Sequence, residues 1–223
     1  AQAILSDRSA RAAGRREGTM TDDRLQRQLR FILEIDKLKG VLRRSYLVGA
    51  DRRENSAEHS WHVAVMAVVL AEHAGAPVDV GRVVTMLLVH DIVEVDAGDT
   101  YVYDPAGGAD KAEREHRAAV RLFGLLPPDQ GDELRALWEE FEAAASADAR
   151  FAGALDRLMP VLHNVHTGGR SWREHGITAD RVIARNSRMR EGSEELWRYA
   201  RALIEEAVAA GTLAPPADAQ PAG

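Results

Sequence analysis

Cysteine is absent from the 223-residue sequence. This absence excludes disulfides, thiolate nucleophiles and sulfur-ligated metal sites, so any metal chemistry has to use nitrogen and oxygen ligands. The sequence also lacks an apolar run of about eighteen residues, the length that a membrane-spanning helix needs, and an apolar signal-like segment near its N-terminus. These absences predict a cytoplasmic protein with no membrane partner.

Positive charge is in deficit as well. The sequence has 29 Lys and Arg residues against 35 Asp and Glu residues, a formal net charge of −6 at pH 7. A broad basic surface for a nucleic acid polymer is therefore not expected, whereas a local basic pocket for one phosphate remains compatible. A small anionic substrate fits this composition better than a long polyanion.

Apolar residues recur at helical spacing along most of the chain. The clearest segments cover residues 23–41, 54–74, 79–91, 110–123, 131–145, 147–165, 178–190 and 193–210. No strand-like alternation, internal repeat or interdomain linker is evident. This pattern predicts an all-α fold, a single helical bundle of seven or eight helices.

Polar or Pro/Ala-rich segments flank the helical part. We expect a disordered N-terminal segment at residues 1–22, one domain at residues 23–212 and a loose C-terminal tail at residues 213–223. The connection at residues 100–109 is long for a compact domain, and such connections are more often functional than idle. It could form one wall of a pocket.

The doublet His90-Asp91 closes the apolar run Val83–Val89 and is the most informative local feature. Two polar side chains at the end of a core helix are costly to bury unless something binds them. A divalent metal is the simplest such partner, because imidazole and carboxylate groups suit Mn, Fe, Co, Ni and Zn. The alternative is an ordinary polar helix terminus, and a two-residue motif alone does not separate the two interpretations.

Two other candidate ligands lie far from the doublet in sequence. His59 begins one apolar helical segment, and Asp156 interrupts another. These residues and the doublet can meet only if three helices converge. Otherwise His59 would be an ordinary residue of a first helical turn, and Asp156 would pair with Arg157 or Arg150.

A further acid follows the doublet. Glu94 lies four residues after His90 and shares its face if the helix continues for another turn. A carboxylate in that position can take or relay a proton from an attacking water. Solvated acids in an acidic loop are the alternative interpretation.

The order His, His-Asp, distant Asp resembles the HD-domain metal-dependent phosphohydrolase superfamily. The resemblance implies that His59, His90, Asp91 and Asp156 bind one divalent metal ion. Four protein ligands would leave coordination positions for water and substrate, as catalysis requires.

A narrower resemblance rests on Leu38-Lys39, Glu58-His59-Ser60, His90-Asp91-x-x-Glu94 and Gly98-Asp99. Together these motifs look like the YfbR-like 5'-deoxynucleotidase branch of the superfamily. This resemblance implies that Arg44, fifteen residues before His59, binds the substrate phosphate. It implies catalytic roles for Glu94 and Asp99 beside the metal, and a homodimer.

One departure concerns the sugar of the substrate. The branch has a tryptophan after the phosphate-binding arginine, whereas this sequence has Ser45 followed by Tyr46, so selection of deoxyribose is an open question. The expected function is release of phosphate from nucleoside 5'-monophosphates or similar small phosphomonoesters. The alternatives are hydrolysis of a cyclic-nucleotide or alarmone phosphodiester or pyrophosphate bond, and a non-catalytic module that binds metal or nucleotide.

Other histidines lie near the candidate ligands in sequence. His62, one turn after His59, is either a group that hydrogen-bonds a metal ligand or a core-edge residue. His163 and His166 could share a helical face with Asp156, or belong to a lid or a dimer surface. HD proteins that hold two metals have additional histidine ligands between the doublet and the last aspartate. This sequence has only His116 there, in a charged run, so a single metal is favoured.

Overall fold

The computed structural model describes residues 23–100, 103 and 110–217. The expectations for residues 1–22 and 218–223 lie outside this part of the chain. In chain order the helices are α1 (residues 23–35), α2 (Ser56–Leu70), α3 (Val80–Val89), α4 (Glu94–Ala97), α5 (Lys111–Phe123), α6 (Pro128–Ala143), α7 (Ala147–His166), α8 (Arg170–Glu174), α9 (Ala179–Asn186) and α10 (Glu194–Ala209). Short 3₁₀ helices cover Asp36–Gly40, Ala71–His73 and Ser187–Glu191. The predicted all-α class is confirmed.

Side-chain caps start several of these helices where the sequence changes from polar to apolar. Asp79 accepts a hydrogen bond from the Arg82 N–H at the start of α3, and Ser193 does the same for the Leu196 N–H at the start of α10. Each cap satisfies an N–H group that the first turn of a helix leaves unpaired. The helix starts are therefore encoded locally.

The prediction that the chain contains no strand is wrong in one place. The segments β1 (Leu42–Tyr46) and β2 (Arg53–Asn55) form an antiparallel pair, with Leu42 opposite Asn55 and Tyr46 opposite Arg53. These segments are rich in arginine, so no apolar alternation marks them, and backbone hydrogen bonds across the pair define the strands. The Ser56 N–H also donates to the Val41 carbonyl. The hairpin therefore stands against the start of α2.

Helix α7 is the central element and contacts α2, α3, α6 and α10. Fully buried Val63, Leu87, Leu155 and Ile204 come from α2, α3, α7 and α10 respectively. Each such side chain stabilises the fold by about 1.5–3 kcal/mol relative to an exposed one. This packing fixes the relative positions of α2, α3 and α7, the helices that carry the predicted ligands.

The packed chain extends beyond the predicted domain end at residue 212. Leu213 is buried in the main apolar core, and Ala214 pairs with Thr178 through a parallel bridge. The Ala214 carbonyl accepts a hydrogen bond from the Ala179 N–H at the start of α9. Residues 213 and 214 therefore belong to the folded body rather than to a loose tail.

No helix within residues 23–100 and 110–217 combines the length and the apolar character that crossing a membrane requires.

Candidate active site

His59 is held at the start of α2 by a capping box. The Asn55 side chain accepts from the Glu58 N–H at 2.9 Å, and the Glu58 carboxylate accepts from the Asn55 N–H at 3.1 Å. Two otherwise unpaired N–H groups are satisfied in this way. The His59 side chain, on the next residue, is completely buried.

His90 and Asp91 follow directly after α3. The Nδ1 atom of His90 lies 2.8 Å from the Leu87 carbonyl oxygen, which can only accept, so Nδ1 carries a proton. In the neutral ring, Nε2 then has a free lone pair directed into the site. Burial lowers the pKa of His90, but the Asp91 and Asp156 carboxylates outweigh it and raise that pKa to about 9.

The four predicted ligands come together, from α2, the end of α3 and α7. The Asp156 Oδ1 atom lies 3.0 Å from His59 Nε2 and 3.7 Å from His90 Nε2. The Asp91 Oδ1 atom lies 3.1 Å from the same His90 nitrogen. Burial raises the pKa of Asp156, yet the two imidazoles hold it well below its usual range.

These residues fit a divalent cation. His59, His90 and Asp91 each offer one ligand atom, and these atoms lie within 4.8 Å of one another. The Nε2 atom of His90 is buried and has no partner in hydrogen-bonding geometry among residues 23–100, 103 and 110–217. A buried polar atom without a partner marks a place where an ion or a water is expected, and the mixture of nitrogen and oxygen donors suits a transition metal.

The two predicted catalytic acids lie beside this cluster. Glu94, in α4, is buried and accepts a 2.6 Å hydrogen bond from the Ser56 hydroxyl. Burial and then the Asp91 charge raise the pKa of Glu94 to about 8. Asp99 follows Gly98, whose φ of +71° ends α4, and burial raises the pKa of Asp99 as well. The Glu94 carboxyl group can therefore hold a proton near neutral pH.

Arg43 is a site residue that the sequence analysis missed. Its Nη1 atom donates to Asp91 Oδ2 at 2.7 Å, and its Nη2 atom lies 3.9 Å from Asp156 Oδ1. Burial lowers the pKa of Arg43, but the surrounding carboxylates raise it further than burial lowers it. Arg44, the predicted phosphate ligand, is exposed. No signal in the sequence separates the two arginines, because β1 has no apolar alternation of its own.

Glu54 is the second residue that was missed. It is fully buried on β2, and its Oε2 atom lies 3.4 Å from His59 Nδ1, the ring atom opposite the one that faces Asp156. A carboxylate in that position fixes the orientation of an imidazole ligand. The signal in the sequence is weak, since Glu54 stands in a charged run before the helix cap.

A cavity of about 100 Å³ opens next to these residues. Arg43 and Arg44 both line it, as do Ser45 and Asp99. Its other lining residues include Thr100, Tyr103, Asp156, Arg157, Trp172 and Arg185. Thr100 and Tyr103 belong to the connection that was expected to form a pocket wall. The cavity thus brings positive charge, Asp99 and the predicted metal ligand Asp156 to one small volume.

Comparison with known proteins assigns the family. The family model for the HD domain matches residues 35–197. The chain belongs to the HD domain family. The resemblance noted from the His and Asp motifs is thereby confirmed.

Several proteins are similar to this HD domain chain. A crystal structure titled predicted metal-dependent phosphohydrolase, from Magnetospirillum magnetotacticum MS-1, has 57% identity and a TM-score of 0.84, and the match covers 87% of this chain and 98% of that one. The human protein named 5'-deoxynucleotidase HDDC2 is 34% identical over 60% of this chain and 65% of its own length. The protein of the same name from Bos taurus is 34% identical over 65% and 69%. The chain thus spans slightly less than two thirds of the human relative's length.

Proposed function

We propose that this protein is a metal-dependent phosphohydrolase that releases phosphate from nucleoside 5'-monophosphates or similar small phosphomonoesters. The observation that carries the proposal is the convergence of His59, His90, Asp91 and Asp156 beside a small cavity with four arginines in its lining. The names of the similar proteins, a metal-dependent phosphohydrolase and 5'-deoxynucleotidases, support the same reaction class.

The four converging residues would hold one divalent ion, with Mn, Co, Fe, Ni and Zn as the candidates for this donor set. When bound, such an ion supplies Lewis-acid activation of water and of the phosphoryl group. Glu54 keeps the His59 ring oriented, and the Leu87 carbonyl does the same for His90.

The remaining side chains handle the phosphate and the protons. Arg43 is the proposed phosphate ligand nearest the acids, and Arg44 supplies positive charge at the same cavity. Glu94, which accepts a hydrogen bond from Ser56, would take the proton of the attacking water. Asp99, at the cavity wall, would serve the leaving oxygen. Charge neutralisation by preorganised groups is the largest expected contribution to the rate.

The decisive test is phosphate release by metal-stripped protein to which Mn²⁺, Co²⁺, Zn²⁺ or Mg²⁺ is restored separately. The substrates are paired ribo- and deoxyribonucleoside 5'-monophosphates, and Asp91→Asn protein is the negative control. We expect release that depends on the ion and is lost in the variant. The ratio of the rates with deoxyribo- and ribonucleotides shows whether the protein selects deoxyribose with Ser45 in place of a tryptophan. No release with any pair and any ion would contradict the proposal.

A second candidate is hydrolysis of a phosphodiester or pyrophosphate bond in a cyclic or alarmone nucleotide. Arg157 and Arg185 line the same cavity as Arg43. Burial lowers the pKa of Arg157, and the neighbouring Arg185 lowers it further. A second anionic group between the two guanidinium groups would relieve this repulsion. An alarmone or cyclic nucleotide in the substrate panel distinguishes this activity, because its products are identified directly.

We further propose that two copies associate through the outward face of α2. The second half of this helix, residues 63–70, is apolar on all sides, and Trp61, Val65, Val68 and Val69 are exposed on the helix. A helix with that composition is normally covered on every side, and an exposed apolar patch of this kind marks an interaction surface. A second copy of the chain is the proposed partner, in agreement with the homodimer that the resemblance implies.

A further inference from the structure

A second group of metal-competent side chains lies beside the first and consists of Glu54, His62 and His163, called the Glu54 cluster below. Each residue offers one ligand atom, and these atoms lie within 4.8 Å of one another. Glu54 and His163 are buried, with 1% and 3% of their surface exposed, and His62 is half-buried. The cluster is therefore closed on the core side and accessible through His62.

Helices α2 and α7 contribute residues to both groups. His62 lies three residues after His59 on α2, and His163 lies seven residues after Asp156 on α7. These spacings keep each pair on one face of its helix. Glu54 stands between the two groups, because its Oε2 atom lies 3.4 Å from His59 Nδ1 and 3.7 Å from His163 Nδ1.

Within the part of the chain that the structure describes, two buried atoms of the Glu54 cluster have no hydrogen-bond partner, Glu54 Oε2 and His163 Nδ1. A buried polar group in that state costs free energy, so it calls for a ligand, an ion or a water. Orientation of His59 accounts for part of the role of Glu54, and Arg43 Nε at 3.7 Å balances part of its charge. Neither contact provides a partner for the His163 nitrogen.

We propose that the Glu54 cluster binds a second divalent transition-metal ion, distinct from the ion held by the HD doublet. Two imidazole nitrogens and one carboxylate oxygen form a donor set that Zn²⁺ and similar ions accept. Donors at about 2.0–2.2 Å from one ion lie roughly 3–4.4 Å apart, and the Glu54–His163 contact of 3.7 Å falls in this range. The Glu54 carboxylate would then join the two sites, because it contacts His59 on one side and the second ion on the other.

The test is the zinc stoichiometry of tag-free protein. The protein is stripped of metal, saturated with Zn²⁺, passed through gel filtration and measured by plasma mass spectrometry. We expect two ions per chain for the unchanged protein and one for His163→Gln and His62→Gln. His166→Gln is the matched control, since His166 is exposed and lies one turn further along the same helix, and it should keep two ions.

One ion per chain in the unchanged protein, or two ions in both cluster variants, would overturn the proposal. His62 is half-buried, so His62→Gln remains informative if His163→Gln fails to fold. Anomalous diffraction at the zinc edge gives an independent readout, with a peak expected between Glu54 and His163. The ion count uses no substrate, so it stands or falls separately from the proposed phosphatase activity.

Discussion

At the scale of single residues, the site depends on which of two adjacent arginines faces the acids. Arg43 contacts Asp91 at 2.7 Å, whereas Arg44 is exposed at the cavity rim. The sequence analysis named Arg44 as the phosphate ligand because it lies fifteen residues before His59. A residue count cannot show which of two adjacent arginines reaches the acids, because that depends on how β1 packs against α7.

Substitution of the two arginines should separate their roles. We expect Arg43→Ala to lower kcat/KM for a nucleoside monophosphate by about 10²-fold or more, because a preorganised charge at the phosphate is lost. Arg44→Ala should lower it by less than about 10-fold, since screening by solvent weakens an exposed charge. Steady-state kinetics on metal-loaded protein measure both effects. A larger loss for Arg44→Ala would restore the phosphate role to that residue.

At the scale of secondary structure elements, the start of α2 matters most, because it carries His59. The capping box of Asn55 and Glu58 is readable in the sequence and present in the structure. Asn55→Ala should reduce the free energy of unfolding by about 1 kcal/mol, measured by urea denaturation. Asn55→Ser keeps a capping oxygen and should lose clearly less. Equal stability of the two variants would show that the cap does not determine where the helix begins.

The turn between α7 and α8 depends on a glycine. Gly169 has a φ of +72°, and a Cβ atom at this position would lie 1.9 Å from the Thr212 carbonyl oxygen. Gly169→Ala should therefore destabilise the fold by more than about 2 kcal/mol, because backbone strain and a backbone clash add up. Gly176, with a φ of +58° and open space around it, is the matched control, and Gly176→Ala should cost only about 1 kcal/mol. Thermal denaturation compares the two, and similar losses would contradict the role of the Thr212 contact.

At the scale of the whole molecule, the proposed dimer explains an outward apolar face on a helix that also carries a candidate ligand. Val68→Glu would bring a charge onto this face, and a charge buried without a partner is strongly unfavourable. We expect this variant to sediment as a monomer, whereas the unchanged protein sediments as a dimer.

Val120→Glu is the control for the dimer test, because Val120 is a valine of similar exposure on α5. It should leave the dimer intact. If both variants were monomers, or if both remained dimers, the dimer interface would not be the outward face of α2.

The sequence by itself determined the helices and the types of residue at the site. Caps such as Asp79 and apolar spacing are local features, so α2, α3 and α7 could be predicted. The His and Asp motifs likewise identified the potential ligands, since the order of residue types along the chain is sufficient for that. The hairpin could not be predicted, because polar strands are defined by pairing across the turn rather than by a period of their own.

Only the tertiary structure decided which side chains meet. His59 and Asp156 are 97 residues apart in sequence and 3.0 Å apart in space. The choice of Arg43 over Arg44 and the position of Glu54 between His59 and His163 were decided at the same level. The physical reason is that contacts between distant segments depend on how whole helices and strands pack, and no local pattern specifies that packing.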